Sequence, residues 1–179
     1  MLNLSDLARD ADVSVNTAKH WLSILQASFQ IELLQPYHNN VTKRLVKRPK
    51  LYVLDTGLCA YLTEWSSPET LEAGAMSGAL FETYVLTEVL KSWWHRGQRP
   101  QVFYYRDKDG REIDLLFVHD QTFHPVEIKK SASPRRDWLQ TFTVLDRLDK
   151  PTGAGAVVCL CPHLVPLNKQ INAIPVGMI

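Results

Sequence analysis

Residues 111–129 read REIDLLFVHDQTFHPVEIK. Two apolar runs of strand length flank the pair Asp120-Gln121, a pattern typical of a β-hairpin. A hairpin that turns symmetrically about this pair sets Asp114 directly opposite Glu127, and Glu112 opposite the lysine at position 129. Because side chains alternate along a strand, Glu127 and Lys129 share one face of the sheet. The stretch therefore predicts two acids and an ammonium in a single patch.

The opposed carboxylates need a counter-charge, since like charges directly across a ladder destabilise a sheet. Apolar neighbours also predict burial on both faces, where unpaired acids are costly. A divalent cation is the simplest remedy, because carboxylate oxygens are the hard ligands that Mg²⁺ or Mn²⁺ prefers. Such an ion lowers the pKa of water and stabilises charge on a phosphate, while Lys129 would orient that water or neutralise the phosphate. The alternative is a surface hairpin whose acids pair with Arg111 or Lys130.

The elements around this hairpin predict an α/β fold. Apolar residues at helical spacing predict a helix from Ala79 to Arg96, with Gly97 as its C-terminal stop. Strand-like runs cover 101–106, 112–118 and 125–129. A helix from Pro134 to Leu148, capped at Ser133, and an apolar strand over 154–161 complete the order helix, three strands, helix, strand.

The N-terminal part predicts a small winged helix-turn-helix module. Apolar residues spaced by three and four over 4–25 indicate two short helices, with Ser14 capping the second. Extended runs at 29–34 and 50–54, joined by a polar loop with Asn39-Asn40, indicate a β-hairpin. We therefore expect a winged helix over 1–60, a linker over 61–78 and the larger mixed-sheet domain over 79–179.

The predicted wing is basic. Five positive charges and no acid lie within eight residues, namely Lys43, Arg44, Lys47, Arg48 and Lys50. Phosphate contact is the first interpretation, with Asn16 and Lys19 of the second helix near a DNA groove. A solvated hairpin or a protein-docking surface is the alternative, because winged helices also bind proteins.

Composition narrows the function only by exclusion. The formal net charge is +1, so nucleic-acid binding must come from a local patch rather than from the whole chain. No apolar run approaches the roughly 20 residues needed to cross a bilayer, and the first residues lack the basic and apolar regions of a secretory signal. We expect a cytoplasmic protein.

Asp114, followed after twelve residues by Glu127-Ile128-Lys129 and preceded by a helix containing Glu82, resembles the signature of the PD-(D/E)XK nuclease superfamily. The resemblance implies a restriction-endonuclease-like core. It also implies Asp114 and Glu127 as metal ligands, Lys129 as the catalytic lysine and Glu82 as a further ligand or base. The carbonyl of Ile128 is a possible ligand as well. The motif's usual proline is replaced by Ile113.

Longer phrases narrow the resemblance. Residues 80–82, 111–114 and 126–129 look similar to the C-terminal domain of unknown function found after AAA-type ATPase modules in prokaryotic proteins, where a winged helix precedes the nuclease-like core. This chain has no Gly-x-x-x-x-Gly-Lys-Ser/Thr phosphate loop. The expected function is Mg²⁺- or Mn²⁺-dependent phosphodiester hydrolysis on DNA. The alternative is an inactive nuclease-like module that binds DNA or protein and tethers or regulates an AAA-type ATPase.

Overall fold

The computed structural model describes residues 1–38, 48–148 and 150–179. Two helices open the chain, α1 (Leu4–Asp10) and α2 (Val15–Ala27). Ser14 caps α2 as predicted, because its hydroxyl accepts a hydrogen bond from the backbone N–H of Thr17 at 3.1 Å. The antiparallel strands β1 (Ile31–Leu34) and β2 (Lys50–Val53) form a separate two-stranded sheet. These elements match the predicted helix-turn-helix and hairpin.

Three helices connect this part to the main sheet: α3 (Thr56–Leu62), α4 (Pro68–Ala73) and α5 (Ser77–Trp94). The segment predicted as a linker thus contains helix α4. The predicted long helix is α5, and its C-terminal stop is confirmed, since Gly97 has a φ of 66° and its N–H donates to the carbonyl of Trp94.

The main sheet has six strands in the order β3-β4-β5-β6-β8-β7. Their bounds are β3 (Val102–Arg106), β4 (Glu112–His119), β5 (Thr122–Lys129), β6 (Gly155–Cys159), β7 (Val165–Pro166) and β8 (Ile171–Pro175). The pairs β3-β4, β4-β5 and β7-β8 are antiparallel, while β5-β6 and β6-β8 are parallel. The protein is therefore a mixed α/β fold, as predicted.

Both faces of the sheet are covered. On one face, Val85, Leu86 and Leu90 of α5 pack against Leu115 and against other apolar residues of the sheet. Leu34 and Tyr52 of the small sheet belong to the same cluster. On the other face lies a 3₁₀ segment, η1 (Arg136–Arg147), which contributes Phe142, Val144 and Leu145. The N-terminal elements therefore share a core with the main sheet.

One prediction about the C-terminal region is wrong, and two strands there were not predicted. The segment predicted as a helix capped at Ser133 is a run of 3₁₀ turns that starts at Arg136 and has no side-chain cap. Strands β7 and β8 were not predicted, because Asn172 and Pro175 in the segment INAIP interrupt a strand pattern. Pairing with β6 overrides this weak local propensity. Among the described residues, no helix is both long and apolar enough to span a membrane.

Candidate carboxylate site

The β4-β5 hairpin has the predicted register. Leu115 pairs with Val126 and His119 with Thr122, so the turn is centred on Asp120-Gln121. Both turn residues have positive φ, 45° and 59°, which is the conformation that two-residue hairpins require. The ladder ends at Leu115, one position before the two acids.

A β-bulge in β4 places Asp114. Phe103 pairs with Leu116 and Tyr105 pairs with Ile113, so two residues of β4, Asp114 and Leu115, lie opposite a single residue of β3. A bulge turns a side chain away from its regular alternation. Here the Asp114 carboxylate accepts a hydrogen bond from the backbone N–H of Ile128 at 2.8 Å. At the end of the hairpin, the Asp114 side chain thus accepts a backbone hydrogen bond where the β4-β5 ladder has stopped.

Glu127 is buried beside Asp114, with 4% of its surface exposed. Its Oε1 accepts a hydrogen bond from the Lys129 ammonium at 2.6 Å, and the Lys129 side chain is partly exposed. Its Oε2 is buried and has no hydrogen-bond partner among the described residues. An unsatisfied buried carboxylate oxygen is costly, and such an atom is available for a ligand.

A second lysine joins the site from the small sheet. The ammonium of Lys50 lies 2.9 Å from Glu82 Oε1 and 3.9 Å from Asp114 Oδ1, and it also contacts Glu112 Oε1. Tyr52 on the same strand donates its hydroxyl to Glu82 Oε1 at 2.5 Å. Glu82 is therefore bonded by two residues of β2, and the Lys50 ammonium lies between Glu82 and Asp114.

Burial and like charges perturb the acids. Burial, with the neighbouring Glu127 and Glu82 carboxylates, raises the pKa of Asp114 well above its ordinary value, and Lys50 only partly opposes this. Burial also raises the pKa of Glu127, against the lowering effect of Lys129. Burial alone would lower the pKa of Lys50, but the surrounding carboxylates raise it overall. Burial and mutual repulsion therefore disfavour the ionised form of these acids, and a bound cation would favour it.

The raised pKa of Asp114 predicts an unusual pH dependence of stability in the metal-free protein. Because the pKa of Asp114 is raised on folding, its contribution to stability is complete below about pH 4, its unfolded value, and is lost as pH rises through the folded pKa. The change amounts to at most about 1.4 kcal/mol per pH unit for one proton. We expect the contribution of Asp114 to the free energy of unfolding in EDTA to fall as pH rises above 4.

The matched variant is Asp114→Asn, whose side-chain oxygen can still accept the hydrogen bond from Ile128. It should be more stable than wild type at pH 8 by about 1 kcal/mol, with the difference shrinking towards pH 4. Urea titrations at several pH values measure this. Parallel pH profiles for the two proteins would contradict the assigned burial cost.

The donor chemistry fits a divalent cation. Asp114 and Glu127 supply hard oxygen donors, and Mg²⁺ is commonly held by one or two carboxylates with water in the remaining positions. In the described ranges, no three His, Cys, Asp or Glu side chains are grouped closely enough to hold a metal ion. A cation here would therefore be held by the pair Asp114 and Glu127, with the unpaired Glu127 Oε2 as the available donor.

The alternative surface hairpin is excluded for this site. Arg111 pairs with Asp107 at 2.9 Å, and Lys130 donates to the backbone carbonyl of Glu72 at 2.7 Å. The expected pairing of Glu112 with Lys129 is also wrong, because the β4-β5 ladder stops short of them. Glu112 instead bonds Arg106 at 3.0 Å and contacts Lys50.

Three of the six residues predicted to bind nucleic acid are described, and in the described structure none of these three side chains contacts the acids. Asn16 and Lys19 are exposed on α2, and Arg48 is exposed just before β2. Lys43, Arg44 and Lys47 lie outside the described residues. The assignment of Lys50 to the basic, phosphate-contacting wing is wrong, since its side chain is only 13% exposed and contacts the acids.

Sequence reasoning missed Lys50 and Tyr52 as members of the site, and missed the role of Glu112. The strand KLYV does carry a local signal, because a lysine and a tyrosine alternate with apolar residues on one side of a short strand. That signal does not identify which residues Lys50 and Tyr52 contact. The contacts with Glu82 span 32 and 30 residues along the chain, and only the packing of the small sheet on α5 brings them together.

Comparisons with known proteins place the chain among families that lack an assigned function. Uncharacterized proteins of Mycobacterium tuberculosis and Mycobacterium bovis are each 27% identical over 175 residues, which is 98% of this chain and 38% of the relative. The chain thus spans well under half the length of these curated relatives. No solved structure matches the chain. Residues 1–69 match a model described as Domain of unknown function (DUF8612), and residues 77–179 match Domain of unknown function (DUF4143). Because the second model covers more than half of the chain, the protein belongs to the DUF4143 family.

Proposed function

We propose that this protein is a divalent-metal-dependent phosphodiesterase of the PD-(D/E)XK type that acts on DNA. The observation that carries the proposal is the pair of buried acids at the end of the β4-β5 hairpin. Asp114 and Glu127 have raised pKa values, Glu127 retains an unpaired oxygen, and Lys129 contacts the same carboxylate. Structural ion pairs rarely leave a buried carboxylate oxygen without a partner.

The roles follow from these contacts. Asp114 and Glu127 would hold Mg²⁺ or Mn²⁺, which supplies charge neutralisation at a phosphate and lowers the pKa of water. The Lys129 ammonium, bonded to Glu127 and partly exposed, can reach a substrate oxygen from its solvent side. Glu82 is occupied by Lys50 and Tyr52, so we assign it to holding the site together rather than to proton transfer.

DNA is the substrate class that the basic residues favour. Arg48 is exposed, and its backbone carbonyl accepts a hydrogen bond from the hydroxyl of Tyr104, which places this arginine beside the main sheet. Asn16 and Lys19 lie exposed on α2, the helix that would enter a groove. Phosphate contacts from these residues would hold DNA by charge, with affinity that falls as salt rises.

The test is cleavage of supercoiled, linear duplex and single-stranded DNA in Mg²⁺, Mn²⁺ or EDTA. We expect metal-dependent cleavage by the wild type. Asp114→Asn should lose at least about tenfold in rate, equivalent to about 1.4 kcal/mol of transition-state stabilisation, although its fold is expected to be more stable. Lys130→Ala is the control for a substitution beside the site, because Lys130 is exposed next to Lys129 and bonds only the Glu72 carbonyl in the described structure. Equal cleavage by wild type and Asp114→Asn would refute the site.

A second candidate function is binding without hydrolysis, in which the domain tethers or regulates an AAA-type ATPase. The exposed apolar side chains of α2 favour it. Trp21 is 50% exposed and Ile24 is 52% exposed, and a helix that reads DNA usually presents polar groups instead. Under this candidate, no DNA form is cleaved in either metal.

A further inference from the structure

The ammonium of Lys50 has three carboxylate neighbours. Its distances are 2.9 Å to Glu82 Oε1 and 3.9 Å to Asp114 Oδ1, and it contacts Glu112 Oε1. All four side chains are at least three-quarters buried. The ammonium hydrogen-bonds Glu82 and Glu112, whereas Asp114 at 3.9 Å is an ionic neighbour. Lys129 hydrogen-bonds Glu127 and also interacts electrostatically with Asp114 and Glu82.

The positive charge of Lys50 balances the negative charges of the acids around it. Ionised Glu82, Glu112 and Asp114 would bring three negative charges to this cluster. Among the described residues, Arg106 bonds Glu112 Oε2 at 3.0 Å, and Lys129 interacts electrostatically with Asp114 and Glu82. Without Lys50, these three acids and Glu127 would share one guanidinium and one ammonium. Buried charges of one sign then protonate or attract a small cation.

The dimensions explain why the acids do not already form a metal cluster. An ammonium keeps carboxylate oxygens about 2.7–2.9 Å away, whereas Mg²⁺ requires about 2.0–2.1 Å. Three acids spaced around Lys50 are therefore too far apart for a metal ion, in agreement with the lack of such a group among the described residues. Removal of the ammonium would let them close around a smaller ion, while Tyr52 still orients Glu82.

We propose that Lys50 takes the position of a second divalent cation, so that the wild-type site binds one ion. The position of that single ion, at Asp114 and Glu127, rests on the proposed function. That the Lys50 ammonium occupies the place of a metal ion among Glu82, Glu112 and Asp114 is inferred only from the contacts of Lys50. Strand β2 of the N-terminal module thereby determines the metal stoichiometry of the main domain.

The experiment counts Mn²⁺ ions per chain by isothermal titration calorimetry, with electron paramagnetic resonance to detect coupling between neighbouring ions. Wild type is expected to bind one Mn²⁺, and Lys50→Met is expected to bind two that are spin-coupled. Lys50→Arg keeps the positive charge and should still bind one. Lys91→Met is the matched control, because Lys91 forms a half-exposed ion pair with Glu88 away from the acids.

The outcomes separate the two proposals. One ion in both wild type and Lys50→Met, at equal affinity, would overturn the role of Lys50 and leave the first site intact. No ion in wild type but one in Lys50→Met, lost again in Lys50→Met/Glu82→Gln, would support the role of Lys50 and refute the first site. Lys50→Gln, which retains length and hydrogen bonding, replaces Lys50→Met if the latter does not fold, and the same counts apply to it.

Discussion

Phe123→Ala is expected to lower the free energy of unfolding by about 3–5 kcal/mol, the usual range for a large aromatic core residue replaced by alanine. Phe123 has no exposed surface and lies in the cluster on the η1 side of the sheet. Its ring meets that of Tyr37 edge-to-face, with centroids 5.0 Å apart and an interplanar angle of 89°. Such an aromatic pair stabilises the fold by about 0.5–1.5 kcal/mol beyond the contribution of its buried surface area.

Tyr37 lies in the segment that follows β1, so its contact with Phe123 links the N-terminal module to the main sheet. Its backbone N–H donates to the carbonyl of Tyr104 at 2.7 Å, and the N–H of Tyr104 donates to the carbonyl of Gln35 at 3.0 Å. The chain leaving β1 thus covers the outer edge of β3. Loss of the Phe123 ring therefore removes packing both within the main sheet and between it and the N-terminal module.

Urea denaturation followed by circular dichroism measures the Phe123 effect, with Phe123→Leu as the control. Leucine retains most of the buried apolar volume, so its loss should be no more than about 1.5 kcal/mol. A loss below about 1 kcal/mol for the alanine variant would mean that the position is not packed as described.

Lys129→Ala is expected to destabilise the protein by about 2 kcal/mol at pH 8. Removing one partner of a buried ion pair leaves an uncompensated charge and costs about 3–5 kcal/mol when both are fully buried. The Lys129 side chain is 37% exposed, whereas that of Glu127 is 5% exposed, so solvent screening reduces the expected value. Below about pH 4, where Glu127 is protonated in both states, the effect should nearly vanish.

A double-mutant cycle tests the cause. Glu127→Gln removes the buried charge, so Lys129→Ala added to Glu127→Gln should cost less than Lys129→Ala alone, by about 1–2 kcal/mol. Chemical denaturation of the four proteins at pH 8 in EDTA gives the coupling. Additive effects of the two substitutions would show that Lys129 stabilises the fold through its aliphatic stem rather than through Glu127.

Parts of the fold that depend on local chemistry could be predicted from the sequence. The symmetric turn at Asp120-Gln121, the cap at Ser14 and the stop at Gly97 each rest on a conformational preference within a few residues. Alternation along β5 likewise predicted that Glu127 and Lys129 meet, and they do at 2.6 Å. The 3₁₀ segment and strands β7 and β8 were not predicted, because their conformation depends on packing against distant parts of the sheet.

The carboxylate hairpin was thus determined by the sequence itself: residues 111–129 specify its turn, its register and the contact between Glu127 and Lys129. Only the tertiary structure decided what surrounds Asp114. The bulge opposite Tyr104 turns its side chain, and packing of β2 against α5 places Lys50 among Glu82, Glu112 and Asp114. A local pattern fixes positions a few residues apart, whereas the neighbours of a buried charge come from segments that meet only when the core closes.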